Sequence, residues 1–285
     1  MTATLLIRLA GPLQAWGRLP QYEHRDTDPD HPTKSGVIGL LAAADGHDRS
    51  DTNLDYPDAL SLDTFAALRF GVRADRPGVL VSDYHTTGGG HFPIRPRDLL
   101  LDGRRVLAAD LPSESDRPAP FGSLDAPGWY GAPKGIAPDS TGLLRADRAV
   151  GRSAVVTKRW YLSDAAFVAA VEADDRELLD RLADRLDRPR RVLWLGRKNC
   201  PPAERLNGGV YDGMIRKVLA ETALLPNATE AEPFSWIETG PAEPESAPVQ
   251  DQPESFASRH RVHIQRWERR EQIAVTNPTI TWEVP

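Results

Sequence analysis

Ala165-Ala-Phe-Val-Ala-Ala-Val171, then Asp174 to Leu186, then Arg191-Val-Leu-Trp-Leu195 is the stretch that decides the fold. The first piece is an unbroken apolar run of strand length. The second places Leu178, Leu179, Leu182 and Leu186 on one side and charges on the other, as an amphipathic helix requires. Pro189 ends that helix, and the third piece reads as another strand closed by Gly196. Strand, helix and strand in this order form one half of a split βαβ plan.

The other half lies at the N-terminal side. Thr4-Leu-Leu-Ile-Arg-Leu-Ala10 reads as a strand with a buried face, stopped by Gly11-Pro12. Thr33 or Ser35 can cap a helix through Val37, Ile38, Leu40 and Leu41. Gly36 and Gly39 weaken it intrinsically, so they suggest close backbone approach to another element or to a ligand. Phe65 to Arg73 reads as a second strand. The whole is an α+β, ferredoxin-like βαββαβ domain over residues 1–225. RNA recognition modules share the plan and lay single-stranded bases on a sheet face.

Between the halves, about 78–153 is rich in Gly, Pro, Asp and Arg and too poor in apolar residues for its own core. Such a stretch reads as a functional insertion. Residues 226–285 read as an acidic, proline-rich linker followed by a late strand, Arg261-Val-His-Ile-Gln-Arg-Trp267.

The net charge is −6, but it is unevenly placed: Pro226 to Ser258 holds seven acidic residues and no Lys or Arg. The remainder is close to neutral with local basic clusters, and a nucleic-acid groove needs only local positive charge. The single cysteine, Cys200, excludes an intramolecular disulfide and a Cys-rich zinc site. The nearest His pair, His260 and His263, sits among arginines that would repel a cation, so no metal or cofactor is expected. No apolar stretch approaches the roughly 20 residues of a membrane span. Thr2 to Ala10 contains Arg8 and lacks a leader's cleavage pattern, so the expected location is cytoplasmic.

Five motifs carry candidate chemistry. In Arg8-Leu-Ala-Gly-Pro-Leu-Gln-Ala-Trp-Gly17, Gln14 and Trp16 could read a base, although the turn is also ordinary loop chemistry. In Thr33-Lys-Ser-Gly-Val-Ile-Gly-Leu-Leu41, Lys34, Ser35 and Gly36 at a helix start could hold a phosphate. The full Gly-x-x-x-x-Gly-Lys-Ser/Thr pattern is missing, which argues against nucleotide hydrolysis. Ser82-Asp-Tyr-His-Thr-Thr87 offers Tyr84 and His85. Lys158-Arg-Trp-Tyr161 interleaves Lys158 and Arg159 with Tyr161, which suits phosphates and stacked bases or a half-exposed strand alike. Leu195-Gly-Arg-Lys-Asn-Cys-Pro-Pro202 follows Arg188, Arg190 and Arg191, so that five basic and no acidic residues lie between Arg188 and Lys198. With Gly196 allowing close approach, Arg197 and Lys198 form the best basic patch of the chain.

Taken together and in order, these segments resemble the CasD family of type I-E CRISPR systems, a branch of the RAMP proteins. The resemblance rests on Arg8 to Gly17, Thr33 with Ser35-Gly36 and Gly39-Leu40-Leu41, Asp83-Tyr84-His85-Thr86, Tyr161-Leu162 with Asp164-Ala165, Leu195-Gly196-Arg197 with Cys200-Pro201, and Phe256-Ala257-Ser258-Arg259. It fails over about 88–152 and 226–252. It implies a modified ferredoxin-like (RRM-like) fold with a thumb inserted between the second and third strands, where 78–153 falls, and a C-terminal β extension. It further implies a non-catalytic subunit of a Cascade surveillance complex that caps the 5′ handle of the guide RNA. Such a subunit touches the backbone and large subunits, and meets target DNA only indirectly. On this reading Lys34, Arg159, Arg197 and Lys198 meet phosphates, and Gln14, Trp16, Tyr84, His85 and Tyr161 meet bases or sugars. The alternative is a metal-independent endoribonuclease with His85 as acid or base and Lys158 stabilising charge.

Overall fold

The computed structural model describes residues 2–17, 24–25, 27–49, 52–87, 90–91, 151–152, 155–257 and 261–282. In chain order the elements are β1 (Ala3–Ala10), β2 (Leu13–Gln14), β3 (His24–Arg25), α1 (Lys34–Asp45), α2 (Leu62–Ala66), β4 (Arg69–Arg76), β5 (Val79–Thr87), β6 (Gly90–His91), β7 (Gly151–Arg152), β8 (Val155–Ser163), β9 (Ala166–Ala173), α3 (Arg176–Asp187), β10 (Asn207–Asp212), α4 (Ile215–Glu221), β11 (Phe234–Thr239), β12 (Ser246–Ser255) and β13 (Val262–Gln272). Two compact units emerge, one of residues 1–83 with 160–285 and one of 84–159. In the second, β6 pairs with β7 through Gly90 opposite Arg152. Most of the expected thumb lies outside the described residues.

The first unit is built on a seven-stranded sheet in the order β10-β1-β9-β4-β11-β13-β12. Every neighbouring pair is antiparallel. The fold is therefore mixed α and β with antiparallel sheets. Helix α1 connects β1 to β4, and α3 connects β9 to β10. A second, four-stranded sheet contains β2, β8, β3 and β5.

Local sequence accounts for the helices. Thr33 caps α1, accepting from the Gly36 N–H, and Gly46 closes it at φ 93°. Asp175 accepts from Leu178 N–H at the start of α3. Ser61 does the same for Thr64 at the start of α2. That short helix takes the beginning of the strand expected from Phe65: the Ser61 cap, with Leu62 and Phe65 three residues apart on its buried side, marks a helical turn, and β4 starts only at Arg69.

Two further expectations are corrected. Residues 191–195 are not a strand; Val192 stands 68% exposed, and the segment runs as a loop. The edge position beside β1 belongs to β10, whose Gly208-Gly209 pair disguises a strand in the sequence. Gly208 is there for packing, because a Cβ would meet the Leu6 side chain and carbonyl at 3.0 Å. Nor is 226–253 a linker: it holds β11 and β12, within the same compact unit as residues 1–83. Two of its six prolines, Pro248 and Pro253, sit in β12 at the sheet's edge, where a missing N–H costs little.

Both faces of the sheet's β10-β1-β9-β4 part are covered. On one, Leu5, Ile7, Phe70, Phe167 and Val171 pack on α1, α2 and α3. On the other, Leu6, Val168 and Ala170 pack against Ile215, Val218 and Leu219 of α4, with Ile273 and Ile280 from the tail. Each Val, Leu, Ile or Phe side chain among these contributes roughly 1.5–3 kcal/mol on burial. A polar lock holds α4 in place. Arg73, fully buried, is paired with Asp75 at 2.6 Å and donates to the carbonyls of Leu219, Thr222 and Ala223 at and just beyond the end of α4. Asp75 in turn accepts from Leu225 N–H at 2.7 Å. No base can lie on these strands, as it does in an RNA recognition module, without displacing α4.

Candidate nucleic-acid interface

With the β10-β1-β9-β4 part of the sheet covered on both faces, the loops beyond those strands' ends offer surface to a ligand. Three of the motifs converge there. The turn after β1 and the 195–203 loop are tied by Ala15 N–H to the Leu195 carbonyl (3.0 Å) and Ala203 N–H to the Ala10 carbonyl (2.9 Å). The loop is closed on itself by Leu195 N–H to Cys200 O (2.7 Å) and Cys200 N–H to Arg197 O (2.9 Å). Gly196 makes the fit possible: its φ is +92°, and a Cβ there would fall 1.8 Å from the Ala15 carbonyl oxygen.

Gln14 and Trp16 are the frame of this platform, not its surface; both are 0% exposed. The Gln14 amide donates to the carbonyls of Leu9 and Ala165, each at 2.8 Å, and its oxygen accepts from Trp16 Nε1 at 2.9 Å. Every strong hydrogen-bonding direction of the pair is used internally, so neither has an edge left for a base. Tyr161 is likewise buried at 1% exposed. Its hydroxyl accepts from Asn199 Nδ2 at 2.9 Å. Above its ring lies the Arg197 guanidinium carbon, 4.7 Å from the centroid, and Arg197 Nη1 donates to the Trp160 carbonyl at 3.1 Å. Arg197 is half-buried and Lys198 exposed. Asn199 lies in the same basic motif, where nothing in the sequence distinguishes it from a solvent-facing turn residue.

The α1 start is not a phosphate cradle either. Lys34 is 1% exposed, its Nζ bonded to Glu238 at 2.9 and 3.2 Å and its N–H to Asp251 at 2.6 Å. Burial lowers the Lys34 pKa below the ordinary lysine value, with Glu238 opposing. Ser35 is buried beside Thr33. Gly36 is required by Trp16, whose ring would lie 2.7 Å from an added Cβ. The close approach expected of this glycine is to another element.

The arginines preceding the loop are spoken for: Arg188 pairs with Asp184, Arg190 with Asp58 at 2.6 Å and Arg191 with Asp55 at 3.3 Å. Arg190, Arg191 and Arg205 line a groove of about 740 Å³, together with Val192, Asp187 and Glu204. Its cations are balanced by carboxylates, so the run of five basic residues has its uncompensated part in Lys198, which has no acidic partner among the described residues. In the other unit Tyr84 is 62% exposed, His85 and Arg159 are half-buried, and Lys158 is exposed.

The geometry describes a hydrogen-bonded, cation-bearing loop, and similarity to known proteins gives the family. The sequence matches the CRISPR-associated protein (Cas_Cas5) family over residues 4–270, and the chain belongs to that family. Within it, the chain is 30% identical over 203 residues to the CRISPR system Cascade subunit CasD of Escherichia coli K12, a match covering 70% of this chain and 68% of CasD. A crystal structure of a Cas protein superposes with a TM-score of 0.60 at 28% identity, covering 96% of this chain and 97% of that one. A chain of a CRISPR RNA-guided surveillance complex does so with a TM-score of 0.60 at 27% identity, covering 98% and 93%.

Proposed function

We propose that this chain is the Cascade subunit that binds and caps the 5′ handle of the CRISPR guide RNA, without chemistry of its own. The observation that carries the reading is the braced 195–203 loop, which presents Arg197 and Lys198 in a chain whose relatives belong to RNA-guided complexes. The strand order β10-β1-β9-β4 with two crossover helices supports a modified ferredoxin-like βαββαβ core. Because α4 covers the sheet face that RNA recognition modules use, this core takes RNA at its loops. Lys198 meets a backbone phosphate and the platform fixes register. The backbone and large subunits of the complex are the protein partners, target DNA is met indirectly, and the assembly works in the cytoplasm. Among the described residues no helix is long and apolar enough to cross a membrane.

The test is retention of an RNA bearing the 5′ handle by the chain co-expressed with its neighbouring complex subunits, in EDTA, against a scrambled handle. Selective retention of uncut RNA is expected. Lys198→Ala should weaken it and lower the log–log salt slope by about 1. Cleavage in EDTA would transfer the role to an endoribonuclease, and equal retention of both RNAs would reduce the chain to a protein scaffold.

A further inference from the structure

We infer that Arg270 and Phe234 form a docking point for a neighbouring protein subunit of the surveillance complex, one that brings a carboxylate to the guanidinium and an apolar group to the ring. The inference rests on the reading of this chain as a Cascade subunit and specifies where it meets a protein partner. In the register of β11 and β13, Arg270 stands opposite Trp236 and Phe234 opposite Gln272. Trp236 is 8% exposed and belongs to the core under α1, so Arg270 and Phe234 stand on that same face of the sheet. β12 starts its pairing with β13 at Ser246 opposite Arg269, and residues 270–272 pair with β11 alone. The two residues therefore border an open strand edge at a corner of the sheet.

Phe234 is 40% exposed, and a lone exposed phenylalanine is ordinary. What sets this one apart is the charge upon it. Arg270 is exposed, and its guanidinium carbon lies 3.9 Å from the Phe234 ring centroid and 5.5 Å from that of Trp236. The other two arginines of β13 are matched by acids: Arg266 meets Asp251 and Glu268, and Arg269 meets Glu243 and Glu271. Among the described residues Arg270 has no carboxylate and no hydrogen bond; its partners are the two rings. Glu268, two residues away on the same face, is taken by His31 and Arg266. Contact with a ring uses none of a guanidinium's N–H donors, so Arg270 keeps them for an acceptor from outside.

Phosphate and carboxylate are both acceptors for such a group. The surroundings favour the carboxylate of a protein. Glu230 and Glu232 stand exposed just before Phe234, in a stretch with seven acidic residues and no Lys or Arg. That field opposes a polyanion far more than it opposes one carboxylate seated on the guanidinium. The composition points the same way. An exposed ring with an arginine on it, backed by a tryptophan, is what the centre of a protein interface is made of: aromatic area to bury and an arginine to pair. The partner that fits is a protein surface with an acidic residue beside an apolar one.

The experiment is photo-crosslinking. Phe234→p-benzoylphenylalanine keeps an aromatic group at the position, and the chain carrying it is co-expressed with the other complex subunits and guide RNA. Irradiation of the assembled complex should join position 234 to one protein subunit, and the joined peptide should contain an acidic residue. Arg270→Glu should weaken binding of the chain to that subunit by about 30-fold, the loss expected of a hot-spot residue. Exchange of the partner's acidic residue for arginine should restore it. The crosslink is read without changing Arg270, so a poorly folding Arg270→Glu chain leaves the test intact. If position 234 joins to guide RNA, the patch is a nucleic-acid contact; the inference falls and the Cascade reading stands. If the complex assembles with no crosslink from 234, the patch is free surface and the inference falls alone. If the wild-type chain does not assemble with these subunits at all, both fall.

Discussion

Two cation-bearing turns look alike in the sequence and end in opposite places. Thr33-Lys-Ser-Gly36 and Leu195-Gly-Arg-Lys198 each set glycine and lysine at a bend where an anion could approach. The first is sealed inside, Lys34 against Glu238 and Asp251; the second ends with Lys198 in solvent. What separates them is not local. The counter-charges come from β11 and β12, some 200 residues further on, in the stretch that has seven acidic residues and no basic ones. Asp251 serves both Lys34 N–H and Arg266, which it meets at 2.5 Å, and Arg266 also reaches Glu268 at 2.7 Å. The acidic segment is thus a complement to buried cations, where its composition suggested a solvated linker.

The strongest way to break this comparison is Asp251→Ala. It leaves Arg266 buried with one of its two carboxylates and removes the acceptor at the start of α1. Losing one partner of a buried pair costs about 3–5 kcal/mol, to be read as a shift in urea unfolding midpoint at unchanged slope. Lys198→Ala should stay within about 0.5 kcal/mol of wild type in the same assay. An Asp251→Ala chain of native stability that no longer binds handle RNA would return the α1 start to the interface.

Gly36→Ala sharpens the contrast at smaller amplitude. Alanine gains up to about 1 kcal/mol of helix propensity. Its methyl would meet the Trp16 ring at 2.7 Å, and overpacking of a closed core costs about 1–3 kcal/mol. A net loss of up to about 2 kcal/mol in urea unfolding is expected, with RNA binding by the folded fraction intact. Unchanged stability with weakened RNA binding would favour a phosphate cradle.

These cases show what the sequence could and could not yield. β1, α1, β9 and α3 were legible because period and caps agree: Thr33 and Asp175 both do what their residue type predicts. β10 was not, because Gly208-Gly209 carries a packing constraint imposed by Leu6 and gives no apolar alternation. β12 was masked by prolines that an edge tolerates, and both β11 and β12 by acids, Glu238 and Asp251, whose partner Lys34 lies at the other end of the chain. In the site, the 196–199 loop was legible as a basic turn. The placement of Gln14, Trp16 and Tyr161 was not, since an aromatic or amide in a loop can face inward or outward and only the hydrogen bonds to Leu9, Ala165 and Asn199 decide. Arg190 and Arg191 looked like part of the basic patch because Asp55 and Asp58 neutralise them from a separate loop.

The subtlest prediction is a pH dependence confined to the sealed side. His31, buried against Trp236 with ring centroids 4.5 Å apart, meets Glu268 at 3.3 Å. Burial disfavours its charge, but the Glu268 carboxylate, with Asp28 and the Pro32 carbonyl, more than offsets that, and the His31 pKa is raised above 6.5. A raised histidine pKa contributes stability at low pH that is lost as pH climbs through the folded value. Glu268 is also opposed by burial, yet His31 and Arg266 carry its pKa below 4.5, so its contribution is present above that value and lost on acidification. The pair therefore works best between about pH 4.5 and 6.5. His263 acts in the opposite sense, because burial and Arg261 lower its pKa, so the readout is the difference between wild type and His31→Gln in urea titrations, which should shrink from pH 6 to pH 8. A difference that stays constant over this window would mean that His31 sits neutral and that Arg266 alone holds Glu268. In that event the sealed turn would owe its closure to the arginine network and not to the histidine, and the contrast with the exposed loop would rest on Asp251 and Glu238.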